Sequence, residues 1–236
     1  MRKAIRNSRH RDTIKLSRRA RRARKHHRGK RAAASSDNQK WPRNTLGEVH
    51  VPYVIEASIG ANARNEILSA MNHWTSNVPC IRFVQRTTEV DYVSFFAGIG
   101  CYSDVGRIGR KQRISIGPGC EYMGVVAHEI GHALGFWHEQ SRPDRDQHVQ
   151  IIWQNIQTGY ADDFKKLDSA VVNSHGMGYD IDSLMHYGPD AFAKSPGLHT
   201  IVKRSDGSTN FGQKNGLSPN DILQAKLMYC RTNELL

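Results

Sequence analysis

One segment restricts what this chain can fold into more than any other: His128-Glu129-Ile130-Gly131-His132-Ala133-Leu134-Gly135-Phe136-Trp137-His138-Glu139. His128 and His132 are four residues apart, so on a helix they lie on one face, one turn above the other. Two imidazoles placed this way can share a zinc ion, and Glu129 beside them can reach a water activated by the metal without ligating the metal itself. His138 lies six residues past His132, a poor helical offset. The chain has to turn sharply first, and Gly135 is the residue that accepts the left-handed conformation ending a helix. Three nitrogen ligands then leave positions open for water and substrate, the pattern of a catalytic zinc site. At this chain's own His, Glu and Gly frequencies the whole pattern would arise by chance in about 1 in 10,000 chains. The competing reading is a buried helix whose histidines are merely satisfied.

Charge narrows the function classes once it is divided along the chain. The 236 residues carry a formal +12, but residues 1–31 hold 15 Lys/Arg against the single acid Asp12. The remaining 19 Lys/Arg meet 21 Asp/Glu, so residues 32–236 are slightly acidic. A nucleic-acid reading of the whole chain thereby loses its main support. No apolar run approaches the ~20 residues of a membrane span, and no apolar region follows the basic start as it would in a secretory signal. Residues 1–31 are expected to be solvated and disordered, since Arg18 to Lys25 repels itself and has little to bury. Arg28-Gly29-Lys30-Arg31 is a basic cluster of the kind that secretory processing proteases cut, and the change to Ala32-Ala33-Ala34 is abrupt. A processing boundary after Arg31 is expected. Cys80, Cys101, Cys120 and Cys230, widely spaced and without C-x-x-C, fit two disulfides in any of three connectivities. Disulfides imply an oxidising compartment, hence a chain that begins inside a longer secreted precursor.

Periodicity places the motif. Glu48 to Ile55 reads as a strand, with Pro52 suggesting an edge. Ala61 to Ser76 reads as a helix with Ile67, Leu68, Met71 and Trp74 on one face. Ile81 to Gln85, Tyr92 to Phe96 and Arg113 to Gly117 read as strands, and Tyr122 to Leu134 as the helix carrying the histidines. Arg113 to Ile116 is a candidate edge for an extended substrate. After His138 the chain reads as irregular until a last helix, with Ser218 as N-cap, Pro219 in the first turn and Asp221 completing a capping box. His148, His175 and His186 read as surface or structural groups rather than ligands.

The run from His128 to Asp146, with Arg142-Pro143-Asp144-Arg145-Asp146 behind the third histidine, resembles the astacin family of metzincin zinc proteases. Ser183-Leu184-Met185-His186-Tyr187 is similar to that family's Met-turn. The resemblance runs from about Ala32 to Cys230 and is nearest to tolloid-like catalytic domains. It implies an α+β fold of two subdomains: a twisted N-terminal sheet with the zinc-site helix, then an irregular C-terminal subdomain with a terminal helix. The chain would divide into a pro-segment end, 1–31, and a catalytic domain, 32–236. The implied activity is zinc-dependent endopeptidase cleavage of proteins and peptides, with one zinc on His128, His132 and His138, Glu129 as general base, Met185 beneath the metal and Tyr187 stabilising the transition state. It also implies the pairings Cys80–Cys230 and Cys101–Cys120, a secreted zymogen, and no nucleic-acid or membrane partner.

Two further expectations follow from the resemblance. A processing protease cutting after Arg31 would free Ala32 as the new amino terminus, bridged to Glu139 in a buried cavity, and would make Trp41 the tenth residue, as in mature relatives. Residues 1–31 lack the F-x-G-D aspartate with which many relatives cap the zinc. Lys214, after Gly212-Gln213, takes the position of a basic side chain that in relatives favours acidic residues just after the scissile bond. Two readings from other classes remain: a binding protein that keeps zinc as a scaffold, against which Glu129 argues, and a polyanion binder acting through residues 1–31.

Overall fold

The computed structural model describes residues 39–168 and 173–231. The basic segment 1–31, the boundary at Arg31 and the residue Ala32 lie outside the described residues.

The first half builds a five-stranded sheet from β1 (Val49–Ile55), β2 (Ile81–Gln85), β3 (Tyr92–Phe96), β4 (Cys101–Tyr102) and β5 (Lys111–Ile116), in the order β2-β1-β3-β5-β4. β1 runs parallel to β2, with Val49 opposite Ile81, and to β3, with Tyr53 opposite Val93; β3 runs parallel to β5. Only β4 is antiparallel, pairing Cys101 with Ile116 along one edge. Parallel strands need crossover connections, and α1 (Ala61–Asn77) supplies one between β1 and β2.

Three sequence expectations change here. Pro52 does not mark an edge, because β1 sits between β2 and β3. The proline is tolerated where the β3 ladder, which begins at Tyr53, has not yet formed. Arg113 to Ile116 is an edge only in part: β4 pairs with Ser115 and Ile116, while Arg113 and Ile114 pair with β3 alone. In α1 the buried stripe is Ala63, Ile67, Ala70, Met71 and Trp74. Leu68 stands 44% exposed. It lies about 100° around the helix from Ile67, and the two alanines let the helix approach its neighbour closely.

α2 (Met123–Ala133) is buried along nearly its whole length. A helix apolar on every side belongs in a core. It packs against α1 and shares one apolar cluster with the sheet, Trp41, Leu184, Met185 and α3 (Pro219–Tyr229). α3 starts on a full capping box: Asp221 N donates to Ser218 Oγ, and Ser218 N donates to Asp221 Oδ2. Two disulfides brace this half. Cys80–Cys230 ties the start of β2 to the end of α3, and Cys101–Cys120 closes the loop containing β5.

Past His138 regular structure is sparse. Short 3-10 turns alternate with loops, and β6 (Val149–Ile151) pairs antiparallel with β7 (Ile201–Lys203). A second, smaller apolar cluster gathers Val149, Ile151, Ile156, Phe164, Tyr187 and Ile201. The result is α+β, with two cores meeting at the histidine segment. Among the described residues no helix is long and apolar enough to cross a membrane.

Candidate metal centre and active site

Three side chains from three parts of the chain fix α2. Trp74 Nε1 donates to Ala127 O at 2.9 Å, Trp41 Nε1 to Ala133 O at 3.0 Å, and Tyr229 Oη to Leu134 O at 2.7 Å. The last two satisfy carbonyls that a helix end leaves without a partner. The helix then stops on a left-handed glycine, as its position predicts. Gly135 has φ +102°, its N–H bonds His132 O at 2.8 Å, and Phe136 N–H bonds Gly131 O at 3.0 Å. This paired C-terminal motif turns the chain so that His138 comes back toward α2.

The three imidazoles converge. His132 Nε2 and His128 Nε2 lie 3.1 and 3.3 Å from His138 Nε2. All three residues are buried, and their candidate ligand atoms lie within 4.8 Å of one another. Backbone carbonyls set the tautomers: His128 Nδ1 faces Leu184 O at 2.8 Å and His132 Nδ1 faces Phe136 O at 2.8 Å. With Nδ1 donating, each Nε2 carries a lone pair aimed inward. Facing lone pairs repel unless a cation sits between them. Carbonyl bonds of this kind are also what orients imidazole ligands in metal sites. The donor set therefore fits a zinc ion.

Beneath the histidines runs Ser183 to Tyr187. Asp221 holds the turn, accepting from Ser183 Oγ at 2.7 Å and from Leu184 N at 2.8 Å. Burial raises the Asp221 carboxyl while these bonds oppose the shift. Met185 is buried against Gly131, where an added Cβ would come within 2.8 Å of Met185 Sδ. Glycine at that helical position leaves room for the thioether. Tyr187 is buried with its ring centroid 4.3 Å from that of His138, and Gln140 Oε1 accepts from Tyr187 N at 3.0 Å. Glu129 is fully buried on α2, one residue past His128.

Glu139 Oε1 accepts from Arg142 Nη1 at 3.1 Å and from Asp180 N at 2.8 Å. Burial pushes its carboxyl up to about 7, against the pull of Arg142. The residues from 142 to 146, visible in the sequence only as a charged run, organise this corner. Arg142 grips both oxygens of Asp144 at 2.9 and 2.8 Å and also reaches Gly178 O and Met177 O. That bidentate contact lowers the Asp144 carboxyl. Arg145 Nη1 donates to Gln140 O, so it steadies the residue that holds Tyr187 N. Sequence reasoning missed Gln140 and the two orienting carbonyls, since a carbonyl gives no side-chain signal. His186 is buried between Tyr179 Oη and Tyr187 O, and burial pushes its pKa down to about 4.

Lys214 lies nearer the histidines than its loop position suggests. Its Nζ donates to Leu184 O at 3.2 Å and is 3.4 Å from His128 Nδ1, so ammonium and imidazole share one carbonyl. The approach depends on Gly124 in the first turn of α2, where a Cβ would meet Lys214 O at 1.8 Å. No rotamer relieves a clash with backbone. Gly124→Ala is expected to cost about 1–3 kcal/mol, or roughly 3–10 °C in Tm, by displacing the 212–216 loop. Thermal unfolding checks this; an unchanged Tm would mean that the contact is not formed.

The chain is similar to known proteins over nearly all of this architecture. Residues 33–230 match the peptidase family described as Astacin. Tolloid-like protein 2 of Homo sapiens is 42% identical over 205 residues, which are 85% of this chain and 20% of that protein. Astacin-like metalloendopeptidase of Coturnix japonica is 40% identical, covering 84% of this chain and 48% of that protein. The chain thus spans between a fifth and a half of these relatives. Among solved structures, high choriolytic enzyme 1, a hatching enzyme zinc-protease from Oryzias latipes, superposes with a TM-score of 0.79 at 41% identity, covering 83% of this chain and 97% of that one.

Proposed function

The chain belongs to the astacin family of peptidases, and from that premise we propose that residues 32–236 form a secreted zinc endopeptidase domain cutting peptide bonds in proteins. The observation that most supports this is the convergence of three buried imidazoles, two of them with outer nitrogens held by carbonyls. His128, His132 and His138 would hold one zinc. When bound, the metal lowers the pKa of water and polarises the scissile carbonyl. Glu129 takes the proton from the attacking water and returns it to the leaving amine. Its carboxylate is buried on α2 one residue past His128, within reach of a water that the metal would activate. The Tyr187 hydroxyl stabilises the developing oxyanion, an interaction strongest in the transition state. Neither serine nor cysteine is needed as nucleophile, and all four cysteines are engaged in disulfides.

Zinc dependence gives the test. Dialysis against a chelator should abolish cleavage of a peptide library, and about one equivalent of zinc per chain should restore it. Undiminished cleavage by metal-free protein would overturn the proposal.

The proposal extends to specificity. A substrate residue seated beside Lys214 is favoured when acidic, because the ammonium is held half-buried at Leu184 O, where partial desolvation strengthens its pull on a carboxylate. A lysine is a point charge without arginine's fork, so Asp and Glu should be accepted alike. Peptides with an acidic residue just after the cut should exceed neutral ones in kcat/KM by about fivefold, the worth of one partly screened charge pair. Lys214→Glu should reverse the order. Equal cleavage of both peptides by the two proteins would remove Lys214 from the substrate pocket and leave the zinc chemistry intact.

A further inference from the structure

A cavity of about 490 Å³ opens in the C-terminal half, beside β6, and none of His128, His132 and His138 lines it. Its wall carries four cations, Arg145, Lys165, Lys166 and Arg204, and one acid, Asp146. Trp153 closes one side, 49% exposed, and the apolar floor is formed by β6. The catalytic argument uses none of this except the buried back of Arg145.

The cations differ in how they are held. Arg145 is 3% exposed and fixed by Gln140 O, Phe164 O and Asp146 Oδ1, with its guanidinium 5.9 Å from the Trp153 ring. It is a rigid positive back wall. Lys166 bonds Asp146 Oδ2 from the other side, and Lys165 pairs with Asp162 across open solvent. Arg204 is exposed at the end of β7. Asp146 therefore lies between two cations, and the cavity keeps a positive excess even after Asp162 is counted. Residues 32–236 as a whole are slightly acidic, so this excess is local rather than a share of a basic surface. A concave wall of one sign concentrates its field and draws in the opposite charge.

We propose that this cavity binds a sulfated sugar chain. Anionic groups would meet Lys165, Lys166 and Arg204 at the rim as charge-assisted hydrogen bonds. The half-exposed indole offers a flat apolar face for the C–H side of a sugar ring, with its N–H as a polar handle. Trp153 is the feature that favours a sugar over a bare inorganic anion, which has no apolar face to cover it. The site does not depend on the peptidase reading.

The test uses the full chain and a fully sulfated heparin tetrasaccharide, followed by tryptophan emission. Residues 1–31 will also attract this probe, so the readout has to report on the cavity alone. A saturable emission change is expected that disappears in Trp153→Phe. Its midpoint should move by about tenfold or more in Arg204→Glu and in Lys165→Glu, whose side chains are exposed, with the tail intact in both. Acetylation of Lys165 and Lys166, mapped by mass spectrometry, should be slowed by the tetrasaccharide. A change that survives Trp153→Phe, protection confined to residues 1–31, or unaltered binding by both charge reversals would overturn the proposal. So would an equal response to the unsulfated oligosaccharide, to inorganic sulfate, or to an oligoglutamate peptide, the last of which would make this a site for acidic protein segments.

Discussion

Glu129→Ala is expected to keep about one zinc per chain and to lose peptide cleavage by a factor of about 10²–10⁴ in kcat, the usual share of a positioned general base. The two consequences separate because different groups serve them. The imidazoles are oriented by Leu184 O and Phe136 O and by the glycine turn, none of which involves Glu129. Removing the carboxylate should therefore leave the three nitrogens convergent. The proton that must leave the attacking water has no comparable acceptor among these orienting groups. Glu129→Gln, which keeps the volume of a fully buried side chain, separates lost basicity from a packing defect and should be as inactive. Zinc content by elemental analysis and kcat on one peptide suffice. Full activity in either variant would remove Glu129 from the chemistry. Loss of zinc would instead make it part of the metal's support.

The histidine segment is legible in the sequence because its chemistry depends on spacing, and spacing survives without coordinates. The expected helix Tyr122 to Leu134 differs from the observed Met123–Ala133 by one residue at each end. Gly135 can be read as the turn because left-handed backbone has few other tenants. Four of the sheet's five strands are equally visible, as short β-branched and aromatic runs, whereas β4, two residues long, leaves no such run. The strand order is not visible. Pro52 suggests an edge, yet β1 is internal, since partner choice depends on crossovers that a local window does not contain. The C-terminal half reads only as irregular. β6 and β7 are three residues each and pair across some fifty residues of loop, too short to show any period. The same limit hides the roles of Arg142 and Arg145. A charged run normally means a solvated face, whereas these two guanidiniums are buried and bonded to backbone carbonyls brought in from residues 164, 177 and 178.

Cleavage after Arg31 is expected to raise kcat/KM by about tenfold or more, and the reason lies around Glu139. Its carboxylate is buried beside Asp180 and Asp221, both of which push its pKa upward, and Arg142 is the cation that opposes them. Three carboxyl groups against one guanidinium leave this corner short of positive charge. A cavity of about 10 Å³, room for one ammonium-sized group, lies beside them, lined by Trp137, Glu139, Arg142, Ser174, Asp221 and Gln224. An ammonium entering it would find carboxylate partners already in place, which a buried charge needs. The amino group of Ala32 is the cation that processing would create. Glu139 follows His138 directly, and its N–H bonds Met185 O at 3.1 Å, so ordering this corner also orders the third imidazole and the turn beneath it. A chain cut instead after Lys30 would keep Arg31 in front of Ala32, too long and too large for the cavity, and should gain little. Glu139→Gln, cut after Arg31, should lose most of the gain, since a neutral amide cannot balance the ammonium. The measurement is kcat/KM on one peptide before and after each cut. Equal activity of the uncut chain and of the chain beginning at Ala32 would show that the amino terminus plays no part, and would leave Glu139 as a carboxylate that serves Arg142 and the Asp180 N–H.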